Sequence, residues 1–182
     1  MIFEREKAAS GLFLPVKSDG DILAAGRYHF RHLREGRLID EWDADNLVVG
    51  QGLTALLNIM LAGGAQITTW YLGLFSGNYT PVATDTAASF TSNATETTGY
   101  TAGARQAFVP ATTTNQSISN AASQASFTFN ATQTIYGAFL TSSGVISGTT
   151  GTLFSAAQFA TSKPVANLDQ LLCTYTFTAA SA

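Results

Sequence analysis

The chain has 182 residues, a formal net charge of −3 and a pI near 5.2. Hydrophobic residues make up 46% of the sequence and charged residues only 12%, about half the usual share of roughly 25%. Such a chain can bury a sizeable core in one domain, and its charge excludes a large basic surface for nucleic acid. No run of about 18 apolar residues is present, which excludes a membrane-spanning helix.

The charges are concentrated at the start of the chain. Residues 1–45 hold most of them, whereas residues 46–182 contain only Asp85, Glu96, Arg105, Lys163 and Asp169. A surface of Thr, Ser and Asn suits a protein that is packed among neighbours, since free proteins use mixed charges for solubility. We therefore expect an arm and charged hairpin over residues 1–45 and a body over residues 46–182. A neutral, well-hydrated β-domain is the alternative.

The first residues lack a long apolar stretch, so we expect no signal peptide. Residues 11–16, GLFLPV, form a short apolar segment. It could be an added strand or an anchoring arm, and Pro15 favours an edge or extended position.

Alternating residues on both sides of Glu35 and Gly36 predict a β-hairpin over residues 27–42. Arg31 and Arg34 are expected to pair with Asp40 and Glu41 across the strands. Because the hairpin precedes the body as a charged unit, we expect it to contact other chains more than its own body. The candidate partner-contact residues are Arg27, Arg31, Arg34, Arg37 and Trp42.

Residues 46–64 are predicted to form the one clear helix, ended by Gly63 and Gly64. Its apolar residues recur at helical spacing and are expected to pack on the body or cap it: Leu53, Leu56, Leu57, Met60 and Leu61.

After the helix the apolar period changes to two. Strands are expected over residues 70–76, 105–109, 125–130, 134–141, 152–159 and 171–178. Short strands separated by Thr-, Ser- and Gly-rich loops are typical of an antiparallel β-sandwich, either jelly-roll or Ig-like. The fold class is therefore mainly β, with one short α-helix. The expected core includes Trp70, Leu72, Leu74, Phe139 and Tyr175.

The sequence indicates no catalytic, cofactor or metal site. His29 and His32 project to opposite faces of a strand, so they cannot converge on a metal. No G-x-S-x-G motif is present, and Asp85, Glu96 and Asp169 fall in loops. We expect the protein not to be an enzyme. Glycan binding by aromatic residues in loops, such as Tyr79 and Tyr100, remains open.

The stretch NLVVGQGLTALLNIMLAGGAQITTWYLGLFSGNYTP resembles a family of small virion-associated proteins of tailed double-stranded DNA bacteriophages. The resemblance lies in Asn-Leu-Val, the Gly-Leu and Leu-Leu pairs of the helix and ITTWYLGL. It continues in QSISNAASQASFTFNATQTIYGAFLTSS and GTTGTLFSAAQF, and thus covers roughly residues 46–177. These motifs are structural, so no functional residue is carried over from the family.

The resemblance implies a virion structural protein. We expect a capsid cement or decoration protein on the capsid exterior, made in the cytoplasm of the bacterial host. Its partners would be the major capsid protein and neighbouring copies of itself, giving a homo-oligomer in the virion without direct contact to nucleic acid or membrane. The alternative is a tail, neck or fibre component, with glycan binding as one of its roles.

Overall fold

Ten strands and two helices are present in the computed structural model, which describes residues 22–112 and 115–181. Their bounds are β1 Ile22–Arg34, β2 Arg37–Asp45, β3 Leu47–Val48, α1 Gly50–Leu61, β4 Trp70–Phe75, α2 Ala87–Asn93, β5 Gln106–Phe108, β6 Ser117–Ser119, β7 Ala125–Thr128, β8 Gln133–Thr141, β9 Leu153–Val165 and β10 Gln170–Ser181. The expected arm, including the GLFLPV segment, lies outside the described residues.

The strands form two five-stranded antiparallel sheets. The first sheet has the order β2-β1-β10-β6, with β7 also paired to β10, and the second has the order β3-β9-β8-β4-β5. The inner faces of the two sheets pack against each other to form a β-sandwich, and a short helix accompanies it. This confirms the predicted fold class. β8 is central, between β9 and β4, as expected for a strand with two apolar faces.

Aromatic residues from both sheets interlock in the core. Phe30 of β1 meets Phe159 of β9 edge-to-face at a centroid distance of 5.0 Å, and Phe177 of β10 meets Phe154 at 5.2 Å. The phenol of Tyr28 lies 3.0 Å from the hydroxyl of Ser155, so this buried polar group has a partner across the sandwich. Edge-to-face pairs of this kind stabilise the core beyond simple burial of area.

The outer face of the second sheet is covered by α2. Its Phe90 packs against Phe75 and Phe139 at 5.5 and 5.3 Å between ring centroids. A reciprocal capping box between Thr86 and Ser89 begins the helix. The sequence predicted an irregular loop here, and a helix of seven residues with one large apolar side chain is too short to show a helical period.

The β1–β2 hairpin is confirmed. Glu35 and Gly36 both have positive φ, at 51° and 75°, as a tight two-residue hairpin turn requires. The hairpin is not separate from the body, however, because β1 pairs with β10 from Ile22↔Ser181 to Leu33↔Gln170. The expected domain boundary at Asp45 would therefore cut through the first sheet, in which the hairpin strands β1 and β2 are continuous with β10 of the body.

The helix predicted over residues 46–64 is shorter, Gly50–Leu61. It contacts the second sheet through Gly52, where an added Cβ would lie 2.4 Å from the carbonyl oxygen of Phe154. The expectation that its apolar residues pack on the body is wrong for most of them, although Leu56 is half-buried. We name the exposed residues the α1 stripe: Leu53, Leu57, Met60 and Leu61.

Three of the five residues expected inside the sandwich lie there, namely Leu72, Leu74 and Tyr175. Phe139 is buried on the opposite face of the second sheet, under Phe90 of α2. Trp70 is only half-buried, because it begins β4 at the end of the sandwich and covers Phe154 edge-to-face at 5.4 Å. It lies at the rim of the core.

Candidate interaction surface

The alternation of β1 gives it one apolar and one charged face. Tyr28, Phe30 and His32 point into the sandwich and are 0–3% exposed. The intervening residues, Arg27, His29 and Arg31, lie on the outer face of the first sheet. The antiparallel register places them opposite the acidic residues Asp45, Asp43 and Glu41 of β2.

Some of these charges pair within the hairpin. The guanidinium Nε of Arg27 donates to Asp45 Oδ1 at 2.8 Å, which raises the pKa of Arg27. His29 donates from Nδ1 to Asp43 at 2.9 Å, while its Nε2 lies 3.1 Å from Glu41. These pairs are solvent-exposed, so each contributes little to stability. The outer face of the hairpin therefore carries basic side chains on β1 opposite acidic side chains on β2.

Arg31 and Arg37 differ from the other arginines. Neither has an ion pair or side-chain hydrogen bond within the described ranges 22–112 and 115–181. Arg31 lies opposite Glu41 in the strand register, and Arg37 follows the turn and is exposed. They are the two expected contact residues whose charge stays available to another chain.

Arg34 and Trp42 make internal contacts instead. Arg34 binds Asp169 rather than the expected Asp40 or Glu41. Trp42 is half-buried, stacks on Phe30 at 5.3 Å and has the ammonium of Lys163 over its ring at 4.3 Å. Both residues therefore join the hairpin to its own body.

The Asp169 carboxylate is the centre of a polar cluster that joins β1 to the turn between β9 and β10. It accepts hydrogen bonds from Arg34, from His32 Nε2 at 2.8 Å and from the backbone N–H of Ala166 at 2.7 Å. The Arg34 hydrogen bond, with help from Ala166 and His32, holds the pKa of Asp169 well below its usual range. His32 is 3% exposed because it faces this buried carboxylate.

A second ion pair is wholly internal. Arg105 donates from Nε and Nη2 to the two carboxylate oxygens of Glu96, each at 2.7 Å, and both side chains are 1% exposed. Arg105 also donates to the Ser143 carbonyl, and Glu96 accepts from the Ser147 N–H. The pair therefore fixes the loop between β8 and β9, and it contributes no charge to the surface.

Asp85 is buried too, with its carboxylate accepting from the Tyr79 hydroxyl at 2.7 Å and from the Val82 N–H at 2.8 Å. Of the five charges after residue 46, only Lys163 reaches the surface in part, and it binds Asp40 at 2.8 Å. The exposed charge of the described chain is thus almost confined to β1, β2 and their turn.

Two exposed apolar sites accompany these charges. Leu38 and Ile39 are 46% and 48% exposed on β2, which is an edge strand of the first sheet. In the α1 stripe the exposed fraction ranges from 41% at Leu53 to 80% at Leu61. Leu38 and Ile39 lie between charged neighbours, and their exposure could be inferred only from the position of β2 at a sheet edge.

The two loop tyrosines considered for glycan binding both pack on phenylalanine rings. Tyr100 is 3% exposed, packed edge-to-face on Phe127. Tyr79 is half-buried against Phe90, with its hydroxyl bound to Asp85. Tyr100 is therefore buried in the core, whereas Tyr79 leaves part of its ring at the surface.

An open groove of about 660 Å³ lies between α1 and the loop before α2. Uncharged polar side chains line it, including Thr54, Asn58, Thr84 and Thr86, and the buried Asp85 is at its base with both oxygens hydrogen-bonded. No nucleophile paired with a general base lies there. Within the described residues, no three His, Cys, Asp or Glu side chains cluster in a way that could hold a metal ion.

No helix among the described residues has the length and hydrophobicity needed to cross a membrane. Comparison of the chain with known protein families and with curated proteins finds no match. The phage-family resemblance of residues 46–177 therefore stays a prediction.

Proposed function

We propose that the protein is a non-enzymatic virion structural protein of a tailed double-stranded DNA bacteriophage, most specifically a capsid cement or decoration protein. In this proposal it binds the lattice of the major capsid protein from the outside, contacts neighbouring copies and stabilises the head. One observation carries the proposal: exposed charge is segregated onto the hairpin, while the charged residues of the body are turned inward.

This segregation favours a protein held in an assembly. Complementary charges at the edge of an interface fix orientation and partner choice, and Arg31 and Arg37 have no partner of their own among the described residues. The rest of the surface that the structure describes is nearly neutral and rich in hydroxyl groups, so it can pack beside identical copies without like-charge repulsion. Many weak contacts over a repeated lattice then give strong retention through avidity.

The β2 edge supports the same proposal. Its residues Arg37 to Glu41 are all exposed, and they include both apolar Leu38 and Ile39 and charged side chains. A small apolar patch with a charged rim is the usual anatomy of a protein interface. The hairpin therefore offers a contact surface even though it is fixed to its own body.

The first experiment counts copies of the protein in purified phage particles by quantitative mass spectrometry. A cement or decoration protein should be present in hundreds of copies, matching the capsid lattice. A count of about a dozen or fewer would reject the capsid assignment and favour the tail, neck or fibre alternative. Immunogold labelling in negative stain gives an independent location.

The second experiment tests the hairpin surface. The double variant Arg31→Gln and Arg37→Gln should bind stripped capsids more weakly, with a reduced salt dependence, at an unchanged melting temperature. Glu35→Gln is the matched control, since it removes one exposed charge of opposite sign from the same turn. Equal binding of the double variant and the wild type would show that these arginines are not the contact.

A further inference from the structure

Leu168 holds a backbone conformation that a leucine disfavours. It lies in the turn between β9 and β10 with a φ of 71°, in the left-handed region where the Cβ of an L-residue is crowded by the backbone. Its N–H donates to the carbonyl of Phe129 at 2.9 Å, which fixes the turn. The side chain gains little burial in return, since it is 72% exposed. Glycine or asparagine suits such a conformation better, so folding alone does not explain a leucine here.

A β-bulge places two further apolar side chains in water. Leu33 of β1 lies opposite Leu38 of β2. The next pair is His32 with Asp40, so Ile39 has no opposite residue and is the bulged one. The bulge interrupts the alternation of β2, and Leu38 and Ile39 are consequently both exposed. Bulges of this kind occur at sheet edges, where they redirect a side chain.

These two irregular features lie at the same end of the molecule. Only β1 separates β2 from β10 in the first sheet, a distance of about 10 Å for two strand spacings. At the end of β1, Arg34 binds Asp169, the residue that follows Leu168. Arg34 also pairs in the register with Arg37, which begins β2. We name the exposed and half-exposed side chains around Arg34 the turn-end patch: Arg34, Arg37, Leu38, Ile39 and Leu168.

The charges at this end favour an acidic partner. Arg31 and Arg37 have no ion pair or side-chain hydrogen bond within residues 22–112 and 115–181. The nearby acids of β2 are already engaged, since Asp40 and Glu41 lie 2.8 and 3.1 Å from a lysine and a histidine nitrogen. Among the hairpin charges that the structure describes, Glu35 is then the acid that stays unpaired beside the two arginines. The cations outnumber it, so the patch is complementary to acidic side chains.

We propose that the turn-end patch binds a segment of a different protein in which acidic side chains lie beside apolar ones, with Leu168 as the apolar anchor. Backbone strain is characteristically retained at sites that use it, and apolar contacts within a charged rim are the usual anatomy of an interface. A second copy of this chain is a poor occupant, because its own patch would bring arginines against arginines. The inference rests on the proposed function and adds the chemistry of the partner segment.

Photo-crosslinking during phage assembly identifies the occupant. The full-length protein carries Leu168→p-benzoyl-Phe, and adducts are mapped by mass spectrometry of peptides. The matched control carries the same probe at Val145, which is 64% exposed but lies in the loop before β9, whereas Leu168 follows that strand. We expect several times more adduct from position 168, on a peptide of another protein with Asp or Glu beside apolar residues. Equal yields at the two positions, adducts to a second copy, or a peptide without acidic residues would overturn the proposal.

A second measurement separates binding from folding. Because Asn tolerates the left-handed conformation, Leu168→Asn should melt at the wild-type temperature or a few degrees above it. When wild type and variant are supplied equally during assembly, purified particles should hold about tenfold more wild type, a loss typical of an interface anchor. Val145→Asn should be incorporated like the wild type. A lowered melting temperature for Leu168→Asn, or its equal incorporation, would show that Leu168 is not a contact residue.

The outcome also distinguishes this inference from the capsid assignment. An adduct of position 168 with an acidic segment of a tail or neck protein would reject the capsid role and support the patch. Hundreds of copies per particle together with equal yields at positions 168 and 145 would support the capsid role and reject the patch.

Discussion

Arg34 and Asp169 are 135 residues apart in sequence and form a bidentate ion pair, with Arg34 Nε and Nη2 donating to the two carboxylate oxygens at 2.8 and 2.7 Å. The carboxylate is 2% exposed and the arginine 50%. Since Ala166 and His32 bind the same carboxylate, one buried acid joins β1 to the turn between β9 and β10. These side-chain bonds add to the backbone pairing of β1 with β10 in attaching the hairpin to the body.

Replacing this acid should therefore destabilise the fold. We expect Asp169→Asn to lower the free energy of unfolding by about 2 kcal/mol, below the 3–5 kcal/mol of fully buried pairs because Arg34 is half-exposed. Urea denaturation followed by circular dichroism measures the loss. The control Asp43→Asn removes a carboxylate that is 52% exposed and should change stability by less than about 0.5 kcal/mol. Equal losses for both variants would contradict the assignment.

The same acid should make stability depend on pH. The pKa of Asp169 is lowered in the folded state, chiefly by the Arg34 hydrogen bond, whereas the unfolded value is about 3.9. The unfolded chain then binds the proton more readily, so this stabilisation is complete above about pH 5 and is lost as pH falls through 4 and below. Denaturation curves at pH 6, 4 and 3 give the free energy of unfolding, which should fall less with decreasing pH for Asp169→Asn than for the wild type. Parallel declines would count against this role.

The Glu96–Arg105 pair should show strong coupling. Arg105→Leu leaves the buried Glu96 without its cation and should cost about 3–5 kcal/mol. The double variant Glu96→Leu and Arg105→Leu should lose less than the sum of the two single variants, because it removes both charges together. A double-mutant cycle in urea measures this coupling. Additive losses would show that the two residues act independently.

Much of the sandwich can be predicted because its signals are local. The alternation in β4 and β8 and the Glu35-Gly36 turn are all read from neighbouring residues. The burial of Asp169 could not be predicted, because its partners Arg34 and His32 are more than a hundred residues away.

The helix illustrates the same limit. Its apolar period predicts α1 correctly, but a period does not specify which face meets the body. That face is decided by Gly52, whose missing side chain allows the helix to approach the Phe154 backbone. Leu53, Leu57 and Leu61 consequently point outward, and the sequence gives no sign of this without the position of β9.

Gly52→Ala should test this close approach. The new methyl group would lie 2.4 Å from the Phe154 carbonyl oxygen, so α1 must shift away from β9. We expect a loss of roughly 1–3 kcal/mol, although Ala is usually favoured over Gly in a helix by about 1 kcal/mol. Thr54→Ala, at an exposed position of the same helix, should be close to neutral. Thermal denaturation compares the two, and a stabilised Gly52→Ala protein would show that the approach is less close.

Replacing Trp70 tests whether its ring lies at the rim of the core. Because the ring is half-buried and contacts Phe154 at the rim, Trp70→Ala should cost about 1.5–3 kcal/mol, less than the 3–5 kcal/mol typical of a fully buried aromatic residue. Phe127→Ala is the comparison, since Phe127 is 0% exposed between the sheets, and it should reach that higher range. Chemical denaturation of both variants gives the difference. If Trp70→Ala kept the wild-type stability but lost binding to capsids, Trp70 would be an interface residue and its contact with Phe154 would not contribute to the fold.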